Sequence, residues 1–408
     1  MKDIYQSKLK NGLRYILINQ KGAGSVTVHL RGLAGSRFEK NTEVGASHIL
    51  EHLLLNNKYR DKVFNQGGKI VGVTGREDIL FMVKVRKTDL EIALEYLSSI
   101  LKSADIDNKT FNNEKKVVIE EIRRFSNVPE KLIGRLSYQL LFPKQRVSSF
   151  NTGNINDLNK LSLSDVLKFK DRLFHASNFI LSISGDIDRF GTEKLINKYL
   201  SSLEKTKSVT LHDLKKDNKK GIQNIVNKYF NQNHIKIDFY GYPLSSNVSV
   251  YKKSIYTEIL SRVINNYLRT VLKENMGLSY ILECTSFSSG GYGILGIYLA
   301  TSCKEVPHII NTIFKLLGDV SQLFTNSSID KAKKQYLLDL EFSYEKTSFR
   351  AEYYSRLLLH GVKDPDIRKE IKIIEESDRF NILQVYKEIF SQKPKITILS
   401  NRKLIDSV

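Results

Sequence analysis

Gly45-Ala46-Ser47-His48-Ile49-Leu50-Glu51-His52-Leu53-Leu54 lies in the first half of a 408-residue chain. Ile255-Tyr256-Thr257-Glu258-Ile259-Leu260-Ser261-Arg262-Val263-Ile264, in the second half, can be laid beneath it with the apolar positions in agreement. The ionisable positions differ: His48, Glu51 and His52 stand against Glu258, Ser261 and Arg262. Outward from each segment the same order of elements recurs. In the first half, alternating runs at Leu13 to Ile18 and Val26 to Leu30 predict strands and the apolar period from Glu43 to Leu55 a helix. Strands follow at Lys69 to Thr74 and Ile79 to Val85, then helices at 89–104, 107–125 and 130–141. A helix at 164–174, a strand at Phe179 to Ser184 and a helix at 192–203 complete it. The second half predicts strands at 225–229 and 235–240, a helix at 251–273, strands at 279–286 and 293–300, and helices at 306–324, 328–344 and 349–360.

Strands followed by runs of helices, without strict alternation, predict an α+β fold: two homologous half-domains, each a mixed, mostly antiparallel sheet covered by helices. Between Glu204 and Gly221 the composition turns to Lys, Thr, Asp, Asn and Ser, so the expected division is 1–203, a linker at 204–221, and 222–408. The second half reads as a structural copy that has lost the ionisable set of the first.

Composition narrows the function. With 41% hydrophobic and 26% charged residues the chain is an ordinary globular sequence. Two cysteines, Cys284 and Cys303, cannot supply a disulfide framework, which predicts a reducing compartment. No stretch approaches ~18 consecutive apolar residues and the N-terminus lacks a signal-peptide pattern, so the expectation is a cytoplasmic protein with no membrane partner. The net charge of +20 invites a nucleic-acid reading. Its lysines are spread along the whole chain without an Arg-rich block or an aromatic platform, which disfavours that reading.

The chemistry lies in His48-Ile49-Leu50-Glu51-His52. One helical turn separates the two imidazoles and Glu51 sits beside them, so a divalent ion can be gripped from one face with a carboxylate at hand. Two histidines and a glutamate in so apolar a helix make a poor core face unless something pairs them. Zn²⁺ is the default for imidazole donors, and a third ligand has to come from elsewhere. The segment Glu114 to Glu121 offers three carboxylates on a strongly helical stretch, and Glu114 and Glu121 are two turns apart on one face.

H-x-x-E-H is the inverted zincin arrangement, and its surroundings resemble the pitrilysin and insulysin metallopeptidases. The resemblance is strongest to their short two-domain branch, which includes the mitochondrial processing peptidase and its bacterial relatives. It is carried by Ala34-Gly35-Ser36-Arg37-Phe38-Glu39, Gly45 to His52, Gly67-Gly68 with Thr74 and Arg76-Glu77, Glu114 to Glu121, and Asn178 to Asp186, with Gly277-Leu278-Ser279-Tyr280 in the second half. The resemblance implies a zinc endopeptidase holding one zinc per chain on His48, His52 and Glu121, the family pattern placing the ligand at Glu121 and not Glu120. It implies Glu51 as general base toward the attacking water, Glu114 as a carboxylate that orients a ligand or assists catalysis, and Lys69 to Thr74 as the edge strand on which an extended peptide lies.

Three departures accompany it. Val71 stands where the family usually has Asn, Lys273 where it has an Arg seven residues before Tyr280, and the spacing from His52 to Glu121 is short. Val71, Lys273 and Tyr280 are the candidate substrate-binding residues. Long family members carry four such half-domains in one closed chamber; two here resemble half of that clamshell, which implies a homodimer or a heterodimer with a homologous subunit. Lys in place of Arg replaces a planar donor fork by a point charge, which motivates the expectation of a partner that supplies the Arg. The alternative functions are a non-catalytic or regulatory subunit of such a heterodimer, and a basic nucleic-acid-binding protein. His29, His175 and His360 read as packing, structural or solvent residues, the two cysteines as buried thiols, and Gly290-Gly291 as a hairpin turn.

Overall fold

A computed structural model of the chain describes residues 3–404 apart from 103–105, 205, 218, 220, 280 and 303–304. Its contacts divide it into two units. The first takes Met1–Arg123, Ser149–Leu211 and Glu341–Pro365, the second Arg124–Ser148, His212–Leu340 and Asp366–Val408.

The first unit is built on a six-stranded sheet of β1 (Ile4–Lys8), β2 (Arg14–Asn19), β3 (Ser25–Gly32), β4 (Lys69–Thr74), β5 (Ile79–Arg86) and β6 (Phe179–Gly185) in the order β1-β2-β6-β3-β5-β4. β2 and β6 run parallel; the other neighbours are antiparallel. Alternation along β3 sends Val26, Val28 and Leu30 into the main core with Phe81, Val83, Leu181 and Ile183, beneath helix Leu90–Leu101 and helix Ala46–Leu55. Thr27, His29 and Arg31 point to the opposite face.

That second face is covered by helix Thr347–Leu359, which comes from far along the chain. Thr27 Oγ1 and Thr347 Oγ1 are 2.9 Å apart, Arg14 Nη1 donates to the Leu358 carbonyl at 3.1 Å, and Arg31 reaches Glu352. Conversely helix Pro129–Leu141, which precedes the polar stretch, packs in the second unit: Gln223 Nε2 donates to the Leu136 carbonyl at 3.0 Å, and the Tyr240 hydroxyl donates to the Leu141 carbonyl. The compact units are therefore not the contiguous stretches 1–203 and 222–408. Each sheet has two faces to bury, and periodicity reports that a strand face is buried without reporting which helix covers it.

The second unit holds β7 (Gly221–Val226), β8 (Asn233–Gly241), β9 (Ile281–Ser288), β10 (Gly293–Thr301) and β11 (Lys395–Ser400) in the order β7-β11-β8-β10-β9. Apart from β1 the two sheets follow one plan, down to a single parallel pair, β2 with β6 and β7 with β11. β9 and β10 form the hairpin expected around Gly290-Gly291. Among the elements that went unread in the sequence are β1, the buried interior strand β11, and the helices Ile367–Glu376 and Arg379–Phe390 that lead into it. Cys284 is buried, and burial pushes its thiol up; Cys303 lies outside the described residues. Among the described residues no helix is long and apolar enough to cross a membrane.

His29 and His360 are both buried in the first unit, and desolvation pushes their imidazoles down to about 3 and about 4. Well above pH 6.5, the ordinary imidazole value, both are neutral whether the chain is folded or not. Below it the unfolded chain takes up protons that the folded unit refuses, so stability is lost as pH falls toward 4, by at most ~1.4 kcal/mol per pH unit for each group. Urea midpoints followed from pH 7 to 4.5 are expected to drop, with a shallower slope in His29→Gln; an unchanged slope in the variant contradicts the assignment.

Candidate metal centre

Helix Ala46–Leu55 is entered through Gly45, whose φ of 89° lies in the left-handed region and where a Cβ would strike Leu158. Its first turn is tied down by Ser47, whose Oγ donates to the Ala34 carbonyl at 2.6 Å and whose N–H donates to Glu39 Oε1 at 3.0 Å. Ile49, Leu50, Leu53 and Leu54 fix the helix in the core. The face left over carries His48 and His52, whose rings are 4.8 Å apart.

Opposite them runs helix Asn108–Ser126, anchored by Phe111, Val118 and Ile122. This anchoring turns Glu114 and Glu121 toward the histidines. Glu121 Oε2 lies 3.8 Å from His48 Nε2 and 3.8 Å from His52 Nε2. Glu114 Oε2 lies 3.2 Å from His52 Nδ1, and its other oxygen accepts from Asn56 Nδ2 at 3.0 Å. Glu120, the neighbour most easily confused with Glu121, is two-thirds exposed and paired with Arg123.

His48, His52 and Glu121 each offer one donor atom, all within 4.8 Å of one another, and they could hold a metal ion. Donors about 2.0–2.1 Å from a tetrahedral ion sit ~3.3 Å apart, close to what these side chains already present. With Nδ1–H of His52 directed at Glu114, its Nε2 lone pair is left facing Glu121, the tautomer a ligand needs. The donor set fits Zn²⁺.

Glu51 is buried on the same helix, and its Oε2 accepts a hydrogen bond from the Thr74 hydroxyl at 2.5 Å. Burial raises its carboxyl above the usual carboxylate range, while the Thr74 hydrogen bond and nearby His52 pull it back. The carboxylate also lies against Gly72 of β4, where any Cβ would overlap it. β4 is the outer strand of its sheet, and Val71 and Val73 are 41% and 50% exposed along it. Thr74 and Gly72 are the site residues that sequence reasoning missed. Thr74 was visible as part of a motif, but its partner is a tertiary contact.

Lys273 lies in the second unit, half-buried in the wide-turn helix Arg269–Asn275, and Tyr280 lies outside the described residues. Also in the second unit, the positions aligned with the histidines are engaged differently. Arg262 bridges Glu258, at 3.1 Å, and Asp339, at 2.6 Å, and Ser286 donates to Glu258. Asp339 is the fourteenth residue of helix Asn326–Tyr344, as Glu121 is of helix Asn108–Ser126. An internal guanidinium there joins the two carboxylates.

Two models of one family match the chain: "Insulinase (Peptidase family M16)" over residues 14–149 and "Peptidase M16 inactive domain" over residues 160–336. An "Uncharacterized zinc protease" of Rickettsia felis is 23% identical over 94% of both chains. A "Mitochondrial-processing peptidase subunit beta" of Lentinula edodes is 22% identical over 93% of this chain and 86% of its own. The crystal structure of a protease from Helicobacter pylori superposes with a TM-score of 0.89 at 18% identity, covering 98% of this chain and all of that one. The fold and the two-histidine helix are those of a metallopeptidase-like α+β protein. The chain belongs to the M16 peptidase family and fits its short, two-domain branch.

Proposed function

We propose that the chain is a zinc-dependent endopeptidase of peptides or unfolded segments. The observation that carries this reading is the convergence of His48 Nε2, His52 Nε2 and Glu121 Oε2 beside a buried Glu51. His48, His52 and Glu121 would hold Zn²⁺, which when bound would supply a Lewis acid for the scissile carbonyl and acidify water toward a pKa of about 7. Glu51 takes the proton of the attacking water and delivers a proton to the leaving amine. Glu114 holds the His52 ring in its ligating tautomer, so Glu114→Ala is expected to weaken zinc affinity by about 10–100-fold, read by competition with a chromogenic chelator.

The exposed edge of β4 suits an extended peptide, which can add as a further strand, its backbone paired and its side chains passing over Val71 and Val73. A pairing with a second copy or a homologous subunit, to which Lys273 and Tyr280 contribute, is part of the proposal. It draws on the relative named as a subunit. The reading as a non-catalytic subunit has less support, because the set His48, Glu51, His52, Glu121 is complete here and replaced only in the second unit. Metal analysis and peptide-library cleavage by the purified chain, with and without chelator, together with its solution mass, test the proposal. Full zinc with no cleavage, alone or with a homologous subunit, overturns it.

A further inference from the structure

We infer that Thr74 is the positioning residue of Glu51, and that Gly72 clears the space in which that positioning is possible. The inference deepens the peptidase reading and rests on it. A general base works only if its carboxylate is held within hydrogen-bond reach of the proton it takes. A glutamate has three rotatable bonds with which to leave that position, and helix packing restrains only the first of them.

At this site the remaining freedom is removed by β4. The Thr74 hydroxyl donates to Glu51 Oε2 at 2.5 Å, and both residues are buried, which shields the bond from bulk solvent. Threonine is stiff at χ1, so its hydroxyl direction is set by the backbone. That backbone is itself held. The Thr74 carbonyl accepts from Asn151 Nδ2 at 2.7 Å, and the Gly75 N–H donates to the Asp78 carbonyl at 2.8 Å, closing the turn into β5. Two residues before Thr74, on the same strand face, Gly72 presents no side chain, and the Glu51 carboxylate lies in the space a Cβ would fill. Oε2 accepts from Thr74 while Oε1 lies against Gly72, so both oxygens of the carboxylate are placed by β4.

The test compares Thr74→Val, which keeps the shape and deletes the donor, with Thr74→Ser, which keeps the donor. Peptide cleavage, zinc content and melting temperature are measured for each and for wild type. Thr74→Val is expected to lose about 30- to 100-fold in kcat with KM within about threefold, at unchanged zinc content. Thr74→Ser is expected to recover at least about a third of the wild-type kcat. The melting temperature supplies a readout independent of activity. Thr74→Val removes the hydroxyl donor from a buried carboxylate and is expected to lower it by a few degrees, an effect that disappears when Glu51 is also replaced by Leu.

A wild-type kcat in Thr74→Val, or a Thr74→Ser no better than Thr74→Val, overturns the inference and leaves the peptidase reading standing. A wild-type chain that holds zinc yet cleaves nothing, alone or with a homologous subunit, removes both.

Discussion

Glu51→Gln is expected to cut peptide hydrolysis by about 10²- to 10⁴-fold, the usual worth of a positioned general base, while zinc content stays at that of wild type. The two halves of that result separate the roles assigned to neighbouring side chains. Glutamine has the shape of glutamate, and its amide oxygen can still accept from the Thr74 hydroxyl, so the packing around this buried position survives. What it loses is the capacity to take a proton. Glu51 is not among the three converging donors, so the metal has no reason to leave. Cleavage assays with a fluorogenic peptide library and metal analysis of the same preparation read both quantities. Cleavage at the wild-type rate in the variant would falsify the assignment of Glu51 as the base.

His52→Ala is expected to abolish activity by the other route, through loss of the ion. Structural zinc sites are worth roughly 10–16 kcal/mol, so one protein ligand of three carries on the order of 4 kcal/mol, about a thousandfold in affinity. Removing His52 also strands Glu114, whose Oε2 lies 3.2 Å from the lost ring. Glu121→Ala is expected to behave in the same way. Glu120→Ala, one position earlier, is expected to keep both zinc and activity, because that side chain is exposed and paired with Arg123. Zinc content after desalting and activity with and without added zinc distinguish the variants. If Glu120→Ala loses the metal and Glu121→Ala keeps it, the third ligand has been placed on the wrong face of its helix.

Much of this arrangement was legible in the chain before any coordinates. His48 and His52 are four residues apart, and helical geometry alone brings them to one face. The spacing of Glu114 and Glu121 does the same for the carboxylates. The repeat of strand and helix order across the two halves reads as a duplicated α+β fold, and the two sheets carry it out strand for strand apart from β1. β11 was harder: Lys395-Ile396-Thr397-Ile398-Leu399-Ser400 is a short run at the end of the chain, and its burial in the interior of a sheet depends on β7 and β8, more than a hundred and fifty residues upstream.

Local period and residue chemistry by themselves determined which faces are apolar, where the two imidazoles point, and that the second half carries Glu258 and Arg262 where the first has histidines. Only the tertiary structure decided which carboxylate meets those imidazoles, that Thr74 and Gly72 of β4 frame Glu51, and that helix Thr347–Leu359 covers the first sheet while helix Pro129–Leu141 joins the second. The division has a physical cause. Helix and strand periods are set by backbone geometry within a few residues, whereas the partner of a buried face or a buried carboxylate is chosen by packing among segments far apart in the chain.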